Sequence, residues 1–317
     1  VKDLPVPGAN VGKFQDSLVT ADGSERASVA LTNPETLWFN TGTLCNIECE
    51  NCYILSSPTN DALVYLSAPE VTSYLDQITE RNWPIREIGF TGGEPFMNPQ
   101  MIAMSRAALA RGFDVLILTN AMLPMMRKSM RAGLQELEAA YPGKMTLRVS
   151  LDHFTAPQHD AERGKGSFDK TLMGMRWLRD AGIRMTVAGR TLWGESEQVS
   201  RAGFADLYRD NGFDIDAQHP GQTVLFPEMD ESVEVPEITT ACWGILDKSP
   251  NDVMCASSRM VVKRKGAQSP AVLACTLLPY AAEFELGATL AEAEAPVQLN
   301  HPHCAKFCVL GGASCSA

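Results

Sequence analysis

From residue 37 to residue 226 the chain repeats one unit: a short apolar run of strand character, a turn, then a longer run with apolar residues on one helical face. This alternation constrains the fold more than any other feature. Strands separated by helices pair in parallel, with right-handed crossovers that place the helices outside the sheet. The first strand run is Leu37-Trp38-Phe39-Asn40. Ser67 and Glu70 stand at capping-box spacing, and Val71, Tyr74, Leu75 and Ile78 follow on one helix face. Further strands are expected at 87–91, 113–119, 145–151, 183–187 and 223–226. Helices are expected after the Asn98-Pro99 start, ending at Gly112, and over 124–140, 168–181 and 195–210. Six units fall short of the eight that close a barrel. The expected class is therefore α/β, a partial (β/α)6 barrel with its chemistry at the C-terminal ends of the strands.

Outside this stretch the pattern changes. Residues 1–36 form an N-terminal extension in which Asp22-Gly23 predicts a hairpin turn between 14–20 and 26–31. The barrel is assigned to 37–234. Residues 235–317 lose the rhythm and read as a small C-terminal Cys-rich domain, with a basic patch at Lys263-Arg264-Lys265 and an Ala/Glu-rich helix candidate near 288–295. A formal net charge of −11 argues against nucleic acid as a partner. No apolar run reaches the ~20 residues of a membrane span, and the N-terminus carries no signal-peptide core. The expectation is a cytoplasmic protein without a membrane partner.

The cysteines are clustered. Of nine, three stand at 45, 49 and 52, six at 242, 255, 275, 304, 308 and 315, and none lies between the groups. An odd, clustered set points to metal or cluster sites in a reducing compartment. Cys45, Cys49 and Cys52 form a C-x3-C-x2-C loop directly after the first strand, which can hold three corners of a 4Fe–4S cluster and leave one iron open. A structural zinc site wants a fourth ligand, and the first histidine in the chain is His153. Thr91-Gly92-Gly93-Glu94-Pro95 ends the next strand, with two glycines that allow close approach to the backbone and a carboxylate after them.

With these two motifs one βα unit apart, the chain from 37 to 226 resembles the radical S-adenosylmethionine (SAM) superfamily. The resemblance implies that Cys45, Cys49 and Cys52 bind the cluster and that SAM chelates the open iron. It further implies that Gly92, Gly93 and Glu94 support the methionine moiety, with Glu94 toward the amino group, and that Tyr53 lies against the adenine. Softer matches are Leu118-Thr119-Asn120, then Val149-Ser150-Leu151-Asp152, whose Ser150 and Asp152 would face ribose or substrate, and Arg163-Gly164-Lys165-Gly166-Ser167-Phe168. The bland reading of Asp152 and Arg163 is a surface loop and a helix start.

The tail resembles the SPASM or twitch domains that carry auxiliary Fe–S clusters. The similarity rests on Cys255, Met260-Val261-Val262, Gly266, Cys275, Leu286-Gly287 and Cys304-x3-Cys308-x6-Cys315. The implied ligand set is Cys255, Cys275, Cys304 and Cys308, with Cys242 and Cys315 as alternates. A zinc ion on His301, His303, Cys304 and Cys308 is the rival. The implied activity is reductive cleavage of SAM to a 5′-deoxyadenosyl radical that takes a hydrogen atom from a small-molecule or peptide substrate. The auxiliary 4Fe–4S cluster then accepts an electron, for a net oxidation, and the first electron comes from a flavodoxin or ferredoxin. Two alternatives stay open: a redox-neutral epimerase with Cys242 or Cys315 as hydrogen donor, and a non-catalytic Fe–S carrier or redox sensor. The short stretch before the barrel favours a small molecule, or a peptide bound without a separate recognition domain.

Overall fold

The computed structural model describes residues 12–227, 230 and 233–311. In chain order the elements are β1 (Ser28–Val29), β2 (Thr36–Asn40), α1 (Ala68–Arg81), β3 (Glu87–Thr91), α2 (Met101–Leu109), β4 (Asp114–Thr119), α3 (Leu123–Met126), α4 (Lys128–Ala140) and β5 (Met145–Ser150). There follow α5 (Ala156–Arg163), α6 (Ser167–Asp180), β6 (Arg184–Arg190), α7 (Glu197–Asn211), β7 (Thr223–Phe226), α8 (Cys242–Leu246), β8 (Ser258–Val262), β9 (Ala271–Leu273), β10 (Glu285–Gly287) and β11 (Val297–Gln298).

Strands β2 to β7 pair in parallel and in chain order, so the six βα units of the sequence form one continuous sheet. The capping box is made: the Ser67 amide and hydroxyl donate to Glu70 Oε2 at 2.8 Å each, and the expected face of α1 is buried. Alternation along β2 divides the interior in two. Leu37 and Phe39 join the core between sheet and helices, while Trp38 packs on the other face with Leu116, Met260 and the tail residues Cys255 and Cys304. The tail extends the same sheet: β8 pairs in parallel with β2, and β9 and β10 add antiparallel strands beyond it.

Several expectations need correction. The turn at Asp22-Gly23 is present, with the Gly23 amide donating to Thr20 O and a bridge between Val19 and Glu25. The chain then leaves the hairpin, and β1 pairs with β11. The helix expected over 124–140 breaks at Arg127, whose ψ of 142° is not helical. Asn98 is not the N-cap of α2. Pro95–Met97 first forms a 3-10 turn, and the Asn98 side chain accepts from the Gln100 amide at 2.9 Å. The Ala/Glu run makes one 3-10 turn at Glu292–Glu294 instead of a helix, stopped by Pro296. The sequence-based expectation has no counterpart to α5.

Candidate active site and cysteine pocket

The cysteine loop runs from the end of β2 and is pinned to the segment that ends β3. The Gly93 amide donates to Gly42 O at 2.8 Å, and the Glu94 amide donates to Leu44 O at 3.1 Å, one residue before Cys45. Both glycines are demanded by this contact. Gly92 has φ of 136°, and a Cβ there would stand 2.5 Å from Gly42 O; at Gly93 it would stand 2.3 Å from Leu44 O. The pair therefore joins the two motifs physically, besides leaving backbone open toward a ligand.

Cys45, Cys49 and Cys52 all line one cavity, together with Tyr53, Gly92, Gly93, Asn120, Ser150 and Asp152 at or after the C-terminal ends of the parallel strands. Cys45 is buried, and Cys49 and Cys52 are half-buried. Burial pushes the Cys45 thiol up to about 12 and raises Cys49 as well, against the pull of Arg163. Thiols so shielded keep their protons until a metal centre displaces them, binding the thiolates and releasing the protons. The Ser56 amide donates to Cys52 Sγ at 3.3 Å, a contact suited to a ligating sulfur. Three sulfurs from one tight loop, facing one cavity, fit a cluster with one open iron.

Glu94 is not among the lining residues, but Thr119 and Asn120, which donate to its carboxylate, are. It is 2% exposed; Oε1 accepts from Thr119 Oγ1 at 2.9 Å and the Phe96 amide at 3.2 Å, and Oε2 accepts from the Asn120 amide at 2.9 Å. Burial pushes its carboxyl up to about 7. A carboxylate has about four acceptor positions, so one on Oε2 is open.

The two softer motifs meet. Arg163 grips Asp152 through both oxygens, Nε to Oδ2 at 2.6 Å and Nη2 to Oδ1 at 2.9 Å. Burial alone would raise the Asp152 carboxyl, but the Arg163 guanidinium overrides it and holds it below the carboxylate range. The glycines of the second motif make the turn that brings Arg163 there: Gly164 and Gly166 have φ of 92° and 75°. Asp160 then seats the start of α6, accepting from the Gly166 and Phe168 amides at 2.6 and 2.9 Å and from Ser167 Oγ at 3.0 Å. The motif is thus a turn that aims Arg163 at Asp152 beside Cys49, a pairing that sequence spacing alone does not show. Arg148 and Arg190 also line the cavity and were not among the expected site residues.

In the tail, Cys255, Cys275, Cys304 and Cys308 line a second pocket, an apolar one with Met254, Leu277, Phe284 and His303. Cys242 is not among its lining residues, and its sulfur accepts from the Thr239 amide at 3.3 Å. His301 is not among them either, and its ring meets Phe284 edge-on and His303 at a tilt. Cys315 lies outside the described residues. Burial pushes Cys255 up to about 11 and raises Cys304 well above the ordinary thiol value. Among the described residues no three or more His, Cys, Asp or Glu side chains converge to hold a single metal ion. A cubane cluster asks for thiolates set farther apart, one per iron. Leu277 lines both pockets. Phe307, between Cys304 and Cys308, faces the first and stacks on Phe226 of β7 at 5.9 Å.

Among the described residues no helix is long and apolar enough to cross a membrane. Comparison with known proteins places these features. AlbA, the antilisterial bacteriocin subtilosin biosynthesis protein of Bacillus subtilis, is 34% identical over 145 residues, 45% of this chain and 30% of AlbA. An AdoMet-dependent heme synthase of Methanosarcina barkeri is 30% identical over 172 residues, 52% of this chain and 46% of that enzyme. The chain thus spans less than half the length of these curated relatives. Among solved structures, Streptococcus suis SuiB bound to S-adenosylmethionine superposes with a TM-score of 0.59 at 14% identity, covering 81% of this chain and 64% of SuiB. Native anSMEcpe with bound AdoMet gives 0.58 at 14% identity, covering 87% and 84%. Both show a shared fold. The radical SAM superfamily model matches residues 39–198, half of the chain and the half that carries both motifs, so this chain belongs to the radical SAM superfamily, enzymes that use a 4Fe–4S cluster and SAM.

Proposed function

We propose that this chain is a radical SAM oxidase of a peptide or small-molecule C–H bond, with a second 4Fe–4S cluster in the tail as electron acceptor. When bound, the cluster and SAM supply a 5′-deoxyadenosyl radical that removes a hydrogen atom from a substrate carbon. The chain's share is to hold and to shield. Cys45, Cys49 and Cys52 would hold three irons. Tyr53, Gly92 and Gly93 would frame SAM, and the open position on Glu94 would take its amino group. Ser150 and the Asp152–Arg163 pair would face ribose or substrate. Leu118, Phe226, Leu277 and Phe307 form an apolar wall that keeps water from a carbon radical.

The observation that carries the oxidation is the adjacency of the two pockets. Cys255, Cys275, Cys304 and Cys308 line a pocket that shares Leu277 with the cavity of the cysteine loop. In this reading residues 235–317 are an auxiliary-cluster unit built onto the sheet edge, and a flavodoxin or ferredoxin delivers the first electron. The substrate class draws support from the relatives: SuiB has been solved bound to precursor peptide SuiA, and other relatives are a mycofactocin maturase of Mycobacterium tuberculosis and the heme synthase. The test is anaerobic reconstitution with iron counting, then reductant-driven SAM cleavage. About eight irons per chain and release of 5′-deoxyadenosine are expected. Full iron without SAM cleavage would return the chain to an electron carrier.

A further inference from the structure

Arg259, on β8 opposite Leu37 of β2, is 1% exposed. Its Nε donates to Ala293 O at 2.8 Å, Nη1 to Cys255 O at 2.5 Å and Ser258 O at 2.9 Å, and Nη2 to Ala295 O at 3.4 Å. Every partner is a neutral carbonyl. Arg26, likewise buried, pairs with Glu237 at 2.5 Å, and the half-buried Arg163 pairs with Asp152. The two glutamates on the turn that Arg259 touches are engaged elsewhere. Glu292 accepts from the Ala288 and Thr289 amides, and Glu294 accepts from Arg81 and Trp83. Burying a cation without a counter-ion is among the costliest arrangements a fold can contain. What ties the guanidinium to the second pocket is the Cys255 carbonyl that Nη1 meets, since the Cys255 side chain lines that pocket together with Cys275.

We propose that Arg259 is the charge partner of the tail's cysteine pocket, a positioning residue that sets how readily a four-thiolate Fe–S cluster bound there takes an electron. The inference rests on the auxiliary-cluster reading above. Such a cluster carries a net charge of about −2 when oxidised and about −3 after accepting one electron from the substrate radical, as four thiolates outweigh its core. A fixed cation alongside stabilises the reduced form more than the oxidised one. A neutral zinc site of two histidines and two cysteines would leave the guanidinium without compensation.

The test uses the full chain with Cys45→Ala, Cys49→Ala and Cys52→Ala, reconstituted anaerobically so that only the tail holds iron, and measures iron content and midpoint potential. Adding Arg259→Met should lower the one-electron reduction equilibrium constant about tenfold, equivalent to about 59 mV. Arg259→Lys, which keeps the charge, should stay nearer the parent. Equal potentials at full iron in all three would overturn the charge role and leave a packing arginine. A triple variant without iron would overturn the auxiliary cluster and this inference together, so iron content separates the two failures. Should Arg259→Met take up no iron, Arg259→Gln, which keeps donors toward the carbonyls, replaces it. Loss of iron in both neutral variants with retention in Arg259→Lys supports the charge role, and loss in all three overturns it.

Discussion

Glu94 shows how one side chain serves two structures. Its carboxylate fastens the end of β4 through Thr119 and Asn120, and its remaining acceptor position is the one proposed for SAM. Glu94→Gln keeps the volume and removes the charge. The expected result is an assembled cluster with SAM affinity weakened ten- to a hundredfold, since a charge-assisted hydrogen bond is worth ~1.5–3 kcal/mol; an unchanged SAM dissociation constant by calorimetry would remove Glu94 from the binding role. His159 offers a test of the supporting layer. Its ring is fully buried, and Nδ1 accepts from the Asp152 amide at 3.2 Å. Burial depresses its pKa to about 4 from an ordinary 6.5. A depressed folded-state pKa gives stability that is present above pH 6.5 and lost as pH falls toward 4. The loss approaches about 3 kcal/mol. His159→Asn retains an acceptor and cannot titrate. The difference between parent and variant unfolding free energies should therefore shrink toward acid, and parallel curves would contradict the buried neutral ring.

At the scale of elements, the glycine pair couples strand end to cysteine loop. Gly93→Ala places a methyl group against the Leu44 carbonyl, backbone that cannot yield as a side chain would. The expected outcome is loss of most iron from the cysteine loop, with a drop in unfolding free energy of about 1–3 kcal/mol. Full iron content by ferrozine assay would show that the loop does not depend on the contact. Elements were legible wherever burial imposed a period. The face of α1 was readable because Val71, Tyr74, Leu75 and Ile78 all enter the core. Helix α5 was not, because His159 is its single buried residue and leaves no apolar stripe. The Ala/Glu run misled for a different reason. Pro296 lacks the amide that would continue a helix, and Arg259 holds the Ala293 and Ala295 carbonyls from more than thirty residues away, a contact that no local pattern reveals. The site followed the same division. The cysteine loop and Gly92-Gly93-Glu94 were readable as contiguous motifs, while the Asp152–Arg163 pair required the turn at Gly164 and Gly166 to be seen.

At the scale of the whole molecule, barrel and tail share a sheet and a core. Strand β8 covers the edge of β2, and Trp38 and Leu116 from the barrel side pack with Met254, Cys255 and Phe307 from the tail. The strand at Met260-Val261-Val262 was readable, but its parallel partner more than two hundred residues earlier was not, since pairing across such a distance leaves no periodic trace. This shared core carries the last prediction. A chain ending at residue 234 would bare the β2 edge and the apolar face around Trp38, which invites association with other chains. The full chain, freed of metal, should unfold in one transition by circular dichroism and by tryptophan fluorescence, with coincident midpoints. The shortened chain should aggregate or show no cooperative transition. Two separate transitions in the full chain, together with a monomeric, cooperatively folding 1–234 fragment, would mean that the tail is an independent unit and that the β2–β8 pairing contributes little to holding the barrel together.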